Sequence, residues 1–374
     1  MITSITLQNY KSFGEPQTVP LAPITVLVGP NNSGKSSFLS IGRFVQTAVL
    51  RDSDTAFANE GGEAFVFHRP RPKGSPLWLK WQTPKSEYSI TLADAMGPAL
   101  SEKASDVDWG PLWRSEGPHT LAIQGHSLGF SRRPFGLLDA FVRDLDQSTD
   151  PSYRARHLPL VQPILDSRFA KLSIEPLRQD SEVVPDPQLG SDGSGLAAVL
   201  GLWRGSDPDR SEALDQFLRS ALPEVKRALV KPAPKKSYQR LWIEQKDGEQ
   251  FDAPHLSDGL LYFTALAMHA LSAPPGAILF IEEPEICVHP RRLKDLVDLF
   301  RRLVQERGCQ LVIATHSPIL LDQFRDEPEA IVLFQRGEKG TQVRRLSDDP
   351  KLVAALDKAE PGLMLANGFF NEPF

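Results

Sequence analysis

The sequence predicts an α/β protein with a parallel core sheet, flanking helices and a second, mixed or antiparallel sheet. Between Leu256 and Arg336, helices alternate with short, almost wholly apolar strands, which is typical of a parallel sheet covered on both faces. The glycine-rich segment Gly29–Ser36 stands between an apolar strand and a helix. Short runs at Leu77–Trp81 and Tyr88–Leu92 have the alternation typical of strands and predict the second sheet.

The composition of the chain is that of a globular protein. Hydrophobic residues make up 41% of the 374 residues, and the net charge of −5 excludes a global basic field that would attract nucleic acid. No run approaches the ~18 apolar residues of a membrane span. The start, Met1–Leu7, lacks the basic and apolar regions of a signal peptide, so we expect a cytoplasmic protein with no membrane partner. Cys287 and Cys309 have no metal-ligand neighbours and are expected to be small buried residues.

We expect one two-lobed unit. Residues 1–95 form the first lobe, residues 96–172 an insertion that is partly helical around Phe135–Leu145, and residues 173–374 the second lobe. The elements expected in the lobes follow from period-two or helical spacing of apolar residues. Besides the two strands above, they are Ile2–Leu7, Ile24–Val28, Ser37–Leu50, Gly61–Phe67, Leu196–Trp203, Ser211–Leu222, Leu241–Glu244, Leu260–Leu271, Ala277–Ile281, Arg291–Arg307, Gln310–Ala314, Pro318–Phe324 and Ala330–Phe334.

The segment Gly29–Ser36 matches the pattern G-x-x-x-x-G-K-S of a phosphate-binding loop. Backbone N–H groups of such a loop and the following helix N-terminus form a cradle for phosphate oxygens. Lys35 is expected to reach the β- and γ-phosphates, and Ser36 to place its hydroxyl on Mg²⁺. The loop is therefore predicted to bind ATP and Mg²⁺ through Asn31, Asn32, Ser33, Gly34, Lys35, Ser36 and Ser37.

A buried apolar strand at Ala277–Ile281 ends in the tandem carboxylates Glu282 and Glu283. Since this strand belongs to the sheet that carries the phosphate loop, both carboxylates are expected at the rim beside it. Glu282 is predicted to orient Mg²⁺ and Glu283 to polarise the attacking water. The alternative is a solvated acidic end of a strand.

A second buried strand leads into Thr315-His316-Ser317-Pro318 and delivers His316 to the same rim. A histidine there can hydrogen-bond the γ-phosphate, and the helix that begins after it favours anions. The alternative is a structural histidine.

The segment Ser257-Asp258-Gly259 opens the helix at Leu260. Ser257 is a good N-cap, which is a sufficient structural explanation on its own. The functional alternative is that Ser257, Gly259 and the helix N-terminus bind the γ-phosphate of a nucleotide on another subunit.

Four segments follow one another along the chain: the phosphate loop, the segment Ser257-Asp258-Gly259 (called the signature segment below), the tandem carboxylates and Thr315-His316-Ser317-Pro318. In this order they resemble the ABC-type ATPase heads of the SMC/RecF superfamily. Within it the chain is most similar to compact prokaryotic AAA family ATPases of the OLD and Septu PtuA kind. The resemblance implies a P-loop NTPase fold of the ABC-ATPase type and covers roughly residues 1–50 and 175–340. Two residues depart from the pattern: Glu282 stands where many of these ATPases have Asp, and Asp258 where transporters have Gly. Asp258 would place a negative charge near phosphates unless it is paired.

The resemblance also implies further contacts of the nucleotide. The turn Asn9–Gly14 is similar to an N-terminal turn that lies beside the base and ribose, which implicates Lys11 and Ser12. The segment Leu177–Glu182 occupies the place of the Q-loop. There Gln179, with Arg178 as the competitor, is expected to contact Mg²⁺ or the attacking water.

The function implied is ATP hydrolysis coupled to a homodimer that sandwiches two ATP molecules. The role is that of the ATPase component of an anti-phage system with a separate nuclease or effector partner. The alternative is a RecF-like ATPase that clamps DNA, and a transporter subunit is disfavoured by the long spacing between loop and signature. No nuclease site is expected after Phe334, and the apolar tail Leu363–Phe370 is expected to dock on the body. A basic stretch would either touch DNA or form a solvated loop; it comprises Lys226, Arg227, Lys231, Lys235, Lys236 and Arg240.

Overall fold

The computed structural model describes residues 1–70, 75–92, 99–106, 110–116 and 161–371. In chain order the strands are β1 (Ser4–Gln8), β2 (Gln17–Pro20), β3 (Ile24–Val28), β4 (Leu77–Gln82), β5 (Ser86–Leu92), β6 (Ala99–Asp106), β7 (Gly110–Glu116), β8 (Arg168–Ala170), β9 (Ser181–Glu182), β10 (Val225–Pro232), β11 (Tyr238–Gln245), β12 (Gln250–Asp252), β13 (Ile278–Glu282), β14 (Gln310–Ala314), β15 (Ile331–Gly337) and β16 (Gly340–Arg345).

The helices are α1 (Lys35–Leu50), α2 (Ser53–Asn59), α3 (Glu63–Val66), α4 (Ile174–Arg178), α5 (Leu196–Ser206), α6 (Pro208–Ala221), α7 (Asp258–Ser272), α8 (Pro290–Arg307), α9 (Pro318–Asp322), α10 (Pro350–Leu356) and α11 (Pro361–Ala366). Residues 161–165 are also helical. Single 3₁₀ turns lie at Ala253–His255, Pro328–Ala330, Leu346–Asp348 and Phe369–Asn371. In the described part of the chain, no helix combines the length and the hydrophobicity that a membrane span needs.

The core sheet has six strands in the order β16-β15-β3-β14-β13-β8. It is parallel from β15 to β8, and β16 pairs antiparallel with β15. Successive side chains of its strands enter two different hydrophobic cores: Val26 belongs to one and Leu27 to the other. Burial on both faces explains why these strands are continuous apolar runs, so the expected parallel sheet with flanking helices is confirmed.

The first lobe contains a six-stranded antiparallel sheet in the order β2-β1-β4-β5-β6-β7. Its inner face and α1 share one core with the parallel sheet, in which the fully buried Trp81 stacks on Tyr88 at 4.2 Å between ring centroids. A third sheet, β10-β11-β12 with β9 beside β11, packs on α5 and α6. The fold is therefore the predicted α/β arrangement of a parallel core sheet and an antiparallel first-lobe sheet.

The structure corrects three local expectations. The strand expected at Gly61–Phe67 is instead the short helix α3, because Gly61 and Gly62 turn the chain at φ 90° and 94° and Gly62 caps the helix. Cys287 is exposed rather than buried, whereas Cys309 is buried as expected. The basic stretch is not a loop: its residues lie largely on the paired strands β10 and β11.

The expected division into lobes stays a prediction. The boundary after residue 95 and the helix expected at Phe135–Leu145 lie outside the described residues. Within the expected insertion, β6 and β7 extend the antiparallel sheet, and β8 adds an edge strand to the parallel sheet. Strand β8 becomes important below, because it ends beside the predicted metal-binding carboxylate.

The apolar tail packs on the body, as expected. Met364 and Phe370 are buried in the core, while Leu363 and Phe369 remain exposed. The side-chain amide of Gln335 on β15 donates to the carbonyl oxygen of Phe370 at 2.6 Å. This end of the chain is therefore fastened to an interior strand of the core sheet.

Candidate functional site

Three neighbouring strands of the parallel sheet end at one edge. In the register of the sheet, Ala314 at the end of β14 is paired with Leu27 of β3 on one side and with Glu282 of β13 on the other. Since parallel strands carry their carboxyl ends to the same edge, the segments that follow them meet there. These segments are the phosphate loop, the two carboxylates and Thr315-His316.

The phosphate loop depends on two glycines. Gly29 and Gly34 have φ angles of 150° and 108°. A Cβ on Gly29 would lie 2.0 Å from the carbonyl oxygen of Phe334, and one on Gly34 would lie 2.2 Å from Oγ1 of Thr341. A side chain at Gly29 would collide with backbone, and one at Gly34 would displace the hydroxyls of Thr341 and Ser12 and strain a positive φ angle.

Lys35 is the first residue of α1 and lies folded over the loop. Its Nζ donates to the carbonyl oxygens of Gly29 at 2.7 Å and Pro30 at 3.0 Å. Burial lowers the pKa of Lys35 to about 8, while the negative charges of Glu283 and Glu282 oppose this shift. The ammonium group and both carboxylates therefore occupy one electrostatic environment.

The loop and its surroundings fit a nucleotide phosphate. The hydroxyl oxygen of Ser33 is buried and has no hydrogen-bond partner within the described part of the chain. An unsatisfied hydroxyl in a loop with two left-handed glycines, at the N-terminus of a 16-residue helix, suits the oxygen of a phosphate group. The structure itself contains protein alone.

Ser36 and Glu282 fit a magnesium ion. The hydroxyl of Ser36 donates to Oε1 of Glu282, so two oxygen ligands already lie together. Among the described residues there is no group of three or more His, Cys, Asp or Glu side chains that could hold a metal. Mg²⁺ commonly takes one or two protein oxygens together with phosphate oxygens and water, so the pair fits a metal that arrives with a nucleotide.

Glu282 has a second partner that sequence reasoning missed. The Nζ of Lys171 lies 2.9 Å from Oε2 of Glu282. Lys171 follows β8, and the residue before it, Ala170, is paired in register with Ile281, the residue before Glu282. The three-residue strand β8 is too short to be recognised from its sequence, so no local pattern pointed to Lys171.

Glu283 adopts an unusual backbone conformation. Its φ of 49° lies in the left-handed region, and its N–H donates to the carbonyl oxygen of Ala314 at 2.8 Å. The hydroxyl of Tyr262 donates to the carbonyl oxygen of Glu283 at 3.4 Å. Such conformations persist only where the surroundings enforce them, and here the bond to β14 turns the side chain of Glu283 towards His316.

His316 and Glu283 approach each other, with 3.9 Å between Nε2 and Oε1. Burial, and then the positive charge of Lys35, lower the pKa of His316 below its ordinary value of 6.5. The imidazole is therefore neutral at pH 7. Lys35 interacts electrostatically with both Glu283 and His316, so the three side chains lie in one region at this edge of the sheet.

Glu285 holds the segment that carries His316, a role that sequence reasoning did not assign. Its Oε1 accepts from the hydroxyl of Thr315 and from the backbone N–H of His316, both at 2.8 Å. The signal was present in the sequence, since Glu285 stands three residues after Glu282 at the same strand end.

Lys11 and Ser12 lie next to the phosphate loop. Lys11, Ser36, Lys171 and Glu282 line one cavity of about 190 Å³. The Nζ of Lys11 is 2.5 Å from Oε2 of the buried Glu60, which fixes its position.

Ser12 is joined to the loop through Thr341. The Oγ1 of Thr341 lies 2.8 Å from the carbonyl oxygen of Ser33 and 2.8 Å from the hydroxyl of Ser12. Since a hydroxyl has one hydrogen, Thr341 donates to Ser33 and accepts from Ser12.

The signature segment lies apart from the phosphate loop of its own chain. Ser257 caps α7 by accepting from the N–H of Leu260 at 3.4 Å. A Cβ on Gly259 would lie 2.7 Å from the carbonyl oxygen of Cys287, so the helix start is packed closely. Ser257 and Gly259 line a surface cavity of about 820 Å³ with His255, Cys287, His289, Arg291 and Arg292.

Asp258 is paired, so its negative charge, which would repel a nearby phosphate, is offset. It forms an ion pair with Arg178 at the end of α4. Arg178 also donates to the carbonyl oxygens of Ala253, Pro254 and Leu256 at 3.0, 2.6 and 3.0 Å. Its guanidinium therefore fixes the segment before α7.

Gln179, the residue expected to contact the metal or the attacking water, follows Arg178. It is exposed, and the described structure shows no side-chain hydrogen bond for it. The side chain that contacts Glu282 from this part of the chain is that of Lys171, and the role expected for Gln179 stays a prediction.

Internal pairing neutralises much of the basic stretch. Lys226 and Arg227 both pair with Glu244, and Arg240 pairs with two carboxylates outside the stretch. The Nζ of Lys231 lies over an aromatic ring of β11. Three carboxylates, those of Glu244, Asp180 and Asp252, thus offset part of the positive charge of the stretch.

Two protein-family profiles match the chain. One, described as "AAA domain, putative AbiEii toxin, Type IV TA system", matches residues 97–322, more than half of the chain. The other, described as an AAA ATPase domain, matches residues 1–90.

The chain is also similar to one curated protein and to solved structures. A protein named OLD nuclease, from Thermus scotoductus (strain ATCC 700910 / SA-01), is 22% identical over 361 residues, which are 91% of this chain and 63% of the relative. The chain thus spans less than two thirds of that relative's length. A crystal structure of an Smc head bound to the C-winged helix domain of ScpA is 14% identical, with a TM-score of 0.54, and the match covers 92% of this chain and 97% of that one. At this identity the likeness concerns the fold, which is that of an SMC-type ATPase head.

Proposed function

The chain belongs to the AAA domain family whose profile covers residues 97–322, and from this premise we propose that it hydrolyses ATP as an ABC-type ATPase head. The convergence of Lys35, Glu283 and His316 at one edge of the parallel sheet is the observation that carries the proposal. Each of these residues comes from a different segment, and together they supply a cation, a base and a neutral hydrogen-bond donor.

The roles follow from the chemistry of each group. Lys35 and the loop N–H groups bind the β- and γ-phosphates, and Ser36 and Glu282 hold Mg²⁺ directly or through water. When bound, Mg²⁺ neutralises charge on the phosphates. The carboxylate of Glu283 orients a water and accepts its proton, and neutral His316 donates a hydrogen bond to a γ-phosphate oxygen. Asn31, Asn32, Ser33, Gly34 and Ser37 complete the phosphate cradle, and Lys11 and Ser12 border the base and ribose.

We also propose that two heads clamp ATP between them. Ser257, Asp258 and Gly259 lie at a helix N-terminus, and Ser257 and Gly259 line a surface cavity that contains no residue of the chain's own phosphate loop. A helix N-terminus favours the negative charge of a phosphate, so this segment is suited to the nucleotide of a second copy. The ion pair of Arg178 with Asp258 removes the repulsion that a free carboxylate would exert.

The biological role proposed is that of an ATPase that switches a nuclease or effector partner in anti-phage defence. Two descriptions support it: the similar protein is named a nuclease, and the matching profile refers to a Type IV TA system. The pairing within the basic stretch offers no comparable support for the alternative, a clamp on DNA.

Replacement of the base tests the proposal. Glu283→Gln keeps the shape of the side chain and removes its ability to accept a proton. We expect the variant to bind ATP with the affinity of the parent, to lose about 10²-fold or more in turnover, and to accumulate as a dimer when ATP and Mg²⁺ are present. Equilibrium binding of ATP, phosphate release and light scattering measure the three effects. Hydrolysis by the variant at the parental rate would show that Glu283 is not the base.

A further inference from the structure

Lys171 occupies a position that nothing in the phosphate-binding motif accounts for. Its Nζ lies 2.9 Å from Oε2 of Glu282, while Oε1 of the same carboxylate accepts from Ser36. Both oxygens of the carboxylate expected to serve the metal are therefore engaged by groups of the protein.

The backbone fixes Lys171 in this place. Its N–H donates to the carbonyl oxygen of Ser191 at 2.8 Å, and it directly follows β8, the edge strand beside β13. The side chain is 71% exposed, whereas that of Glu282 is 15% exposed. The ammonium group thus covers a largely buried carboxylate from the solvent side and can leave it without disturbing the core.

Lys171 and a metal ion would compete for Glu282. Both are cations, and two positive charges within a few ångströms repel each other. Lys171, Ser36 and Glu282 also line the same cavity of about 190 Å³. Lys11 lies in that cavity too, but it is held by Glu60 and is not placed to neutralise Glu282.

We propose that Lys171 is a resident counter-ion of Glu282 that stands in for Mg²⁺ in the nucleotide-free head and is displaced when the metal enters with ATP. The inference rests on the proposed function, since it assumes that Ser36 and Glu282 serve a metal. The consequence concerns the Mg²⁺ concentration: the head binds a nucleotide with Mg²⁺ only when that concentration is high enough to displace the ammonium group.

The test is a Mg²⁺ titration of nucleotide binding by the full chain. The Glu283→Gln protein, which is expected not to turn ATP over, serves as the parent, and a fluorescent ATP analogue reports binding. Lys171→Met removes the charge and keeps much of the aliphatic length, and we expect it to lower the half-saturating Mg²⁺ concentration about fivefold. Lys171→Arg keeps the charge and should restore the parental requirement.

Lys226→Met is the matched control. Lys226 is 50% exposed and pairs with Glu244 at 2.9 Å, and Glu244 is 8% exposed, so the change removes a similar ion pair far along the chain. It should leave the Mg²⁺ requirement unchanged.

A second measurement does not use nucleotide affinity. Without Mg²⁺ and nucleotide, Lys171→Met should melt at a lower temperature than its parent, because Glu282 has lost its counter-ion. At saturating Mg²⁺ and nucleotide the two proteins should melt together.

The outcomes separate this inference from the proposed function. A parent that binds no nucleotide at any Mg²⁺ concentration contradicts the proposed function. A parent with a clear Mg²⁺ requirement that Lys171→Met shares contradicts the counter-ion alone. A higher requirement in Lys171→Met would also overturn it, because Lys171 would then assist the metal or the phosphates rather than compete.

Discussion

Nε2 of His316 and Oε1 of Glu283 lie 3.9 Å apart across the ends of β14 and β13. This separation exceeds a hydrogen bond, so the two side chains face each other without satisfying each other. Glu285 fixes the backbone on the histidine side, and the bond from the N–H of Glu283 to Ala314 fixes it on the other. The gap between them leaves both polar groups available to a third group, such as a phosphoryl oxygen or a water.

His316→Ala should slow hydrolysis with little effect on binding. The neutral imidazole is proposed to donate to an oxygen that gains charge as the phosphoryl group transfers, and loss of one such donor costs about 10²-fold in turnover. Steady-state phosphate release and equilibrium binding of an ATP analogue measure both quantities. Equal rates for His316→Ala and the parent would refute the assignment.

Lys35→Ala should abolish useful nucleotide affinity. The buried ammonium group donates to the carbonyl oxygens of Gly29 and Pro30 and is the positive charge within the loop. We expect an affinity at least about 10²-fold weaker, measured by calorimetry with ATP and Mg²⁺. Lys339→Ala removes an exposed lysine that pairs with Glu15 and should bind as the parent does. An affinity unchanged by Lys35→Ala would rule out the phosphate cradle.

Arg178→Ala should destabilise the head more than Asp258→Ala does. Asp258 contributes the ion pair only, and exposed pairs are worth at most about 1 kcal/mol. Arg178 also donates to the carbonyl oxygens of Ala253, Pro254 and Leu256, so its loss should cost about 2 kcal/mol. Urea unfolding of the two variants gives the comparison, and equal losses would mean that the carbonyl contacts contribute nothing.

The stability of the head should fall in mild acid because of His269. Burial lowers the pKa of this histidine from 6.5 to about 4. Between these two pH values the unfolded chain binds a proton that the folded chain does not, so the free energy of unfolding decreases as the pH falls. The full effect is about 3 kcal/mol.

The measurement is urea unfolding from pH 7 to pH 4. His269→Leu loses a hydrogen bond to Gly190 and should start from a lower stability, but its curve should fall less steeply than that of the parent. Parallel curves for the parent and His269→Leu would contradict the prediction.

The convergence of the site segments at one edge of the sheet could be predicted, because each of these segments is short and has a recognisable local sequence pattern. The loop Gly29–Ser36 needs glycine at fixed positions for steric reasons. The carboxylates and His316 directly follow continuous apolar strands, and such strands are typical of neighbours in a buried parallel sheet. The position of each segment directly after an apolar strand was therefore enough to predict that these segments meet at the edge of the sheet.

The contacts that were missed all depend on residues brought together from distant segments. Lys171 follows a strand of three residues, and nothing in Arg168–Ala170 reveals that it pairs with β13. The basic stretch was interpreted by its charge, although its partners Glu244 and Asp252 lie on β11 and β12. Partner choice across a sheet is set by register, which a single segment does not encode.

Thr341 joins segments that are far apart in the sequence: its hydroxyl contacts Ser12, 329 residues earlier, and the carbonyl group of Ser33, 308 residues earlier. The β15–β16 hairpin and the opening turn of the chain are thereby coupled to the loop that cradles phosphate. A displacement of the loop by more than about half an ångström would stretch these hydrogen bonds past their usual range unless the hairpin and the turn move with it. A spectroscopic label near Glu338, at the outer tip of that hairpin, should therefore change its signal when a nucleotide binds to the phosphate loop. No residue of the pocket would need to be substituted.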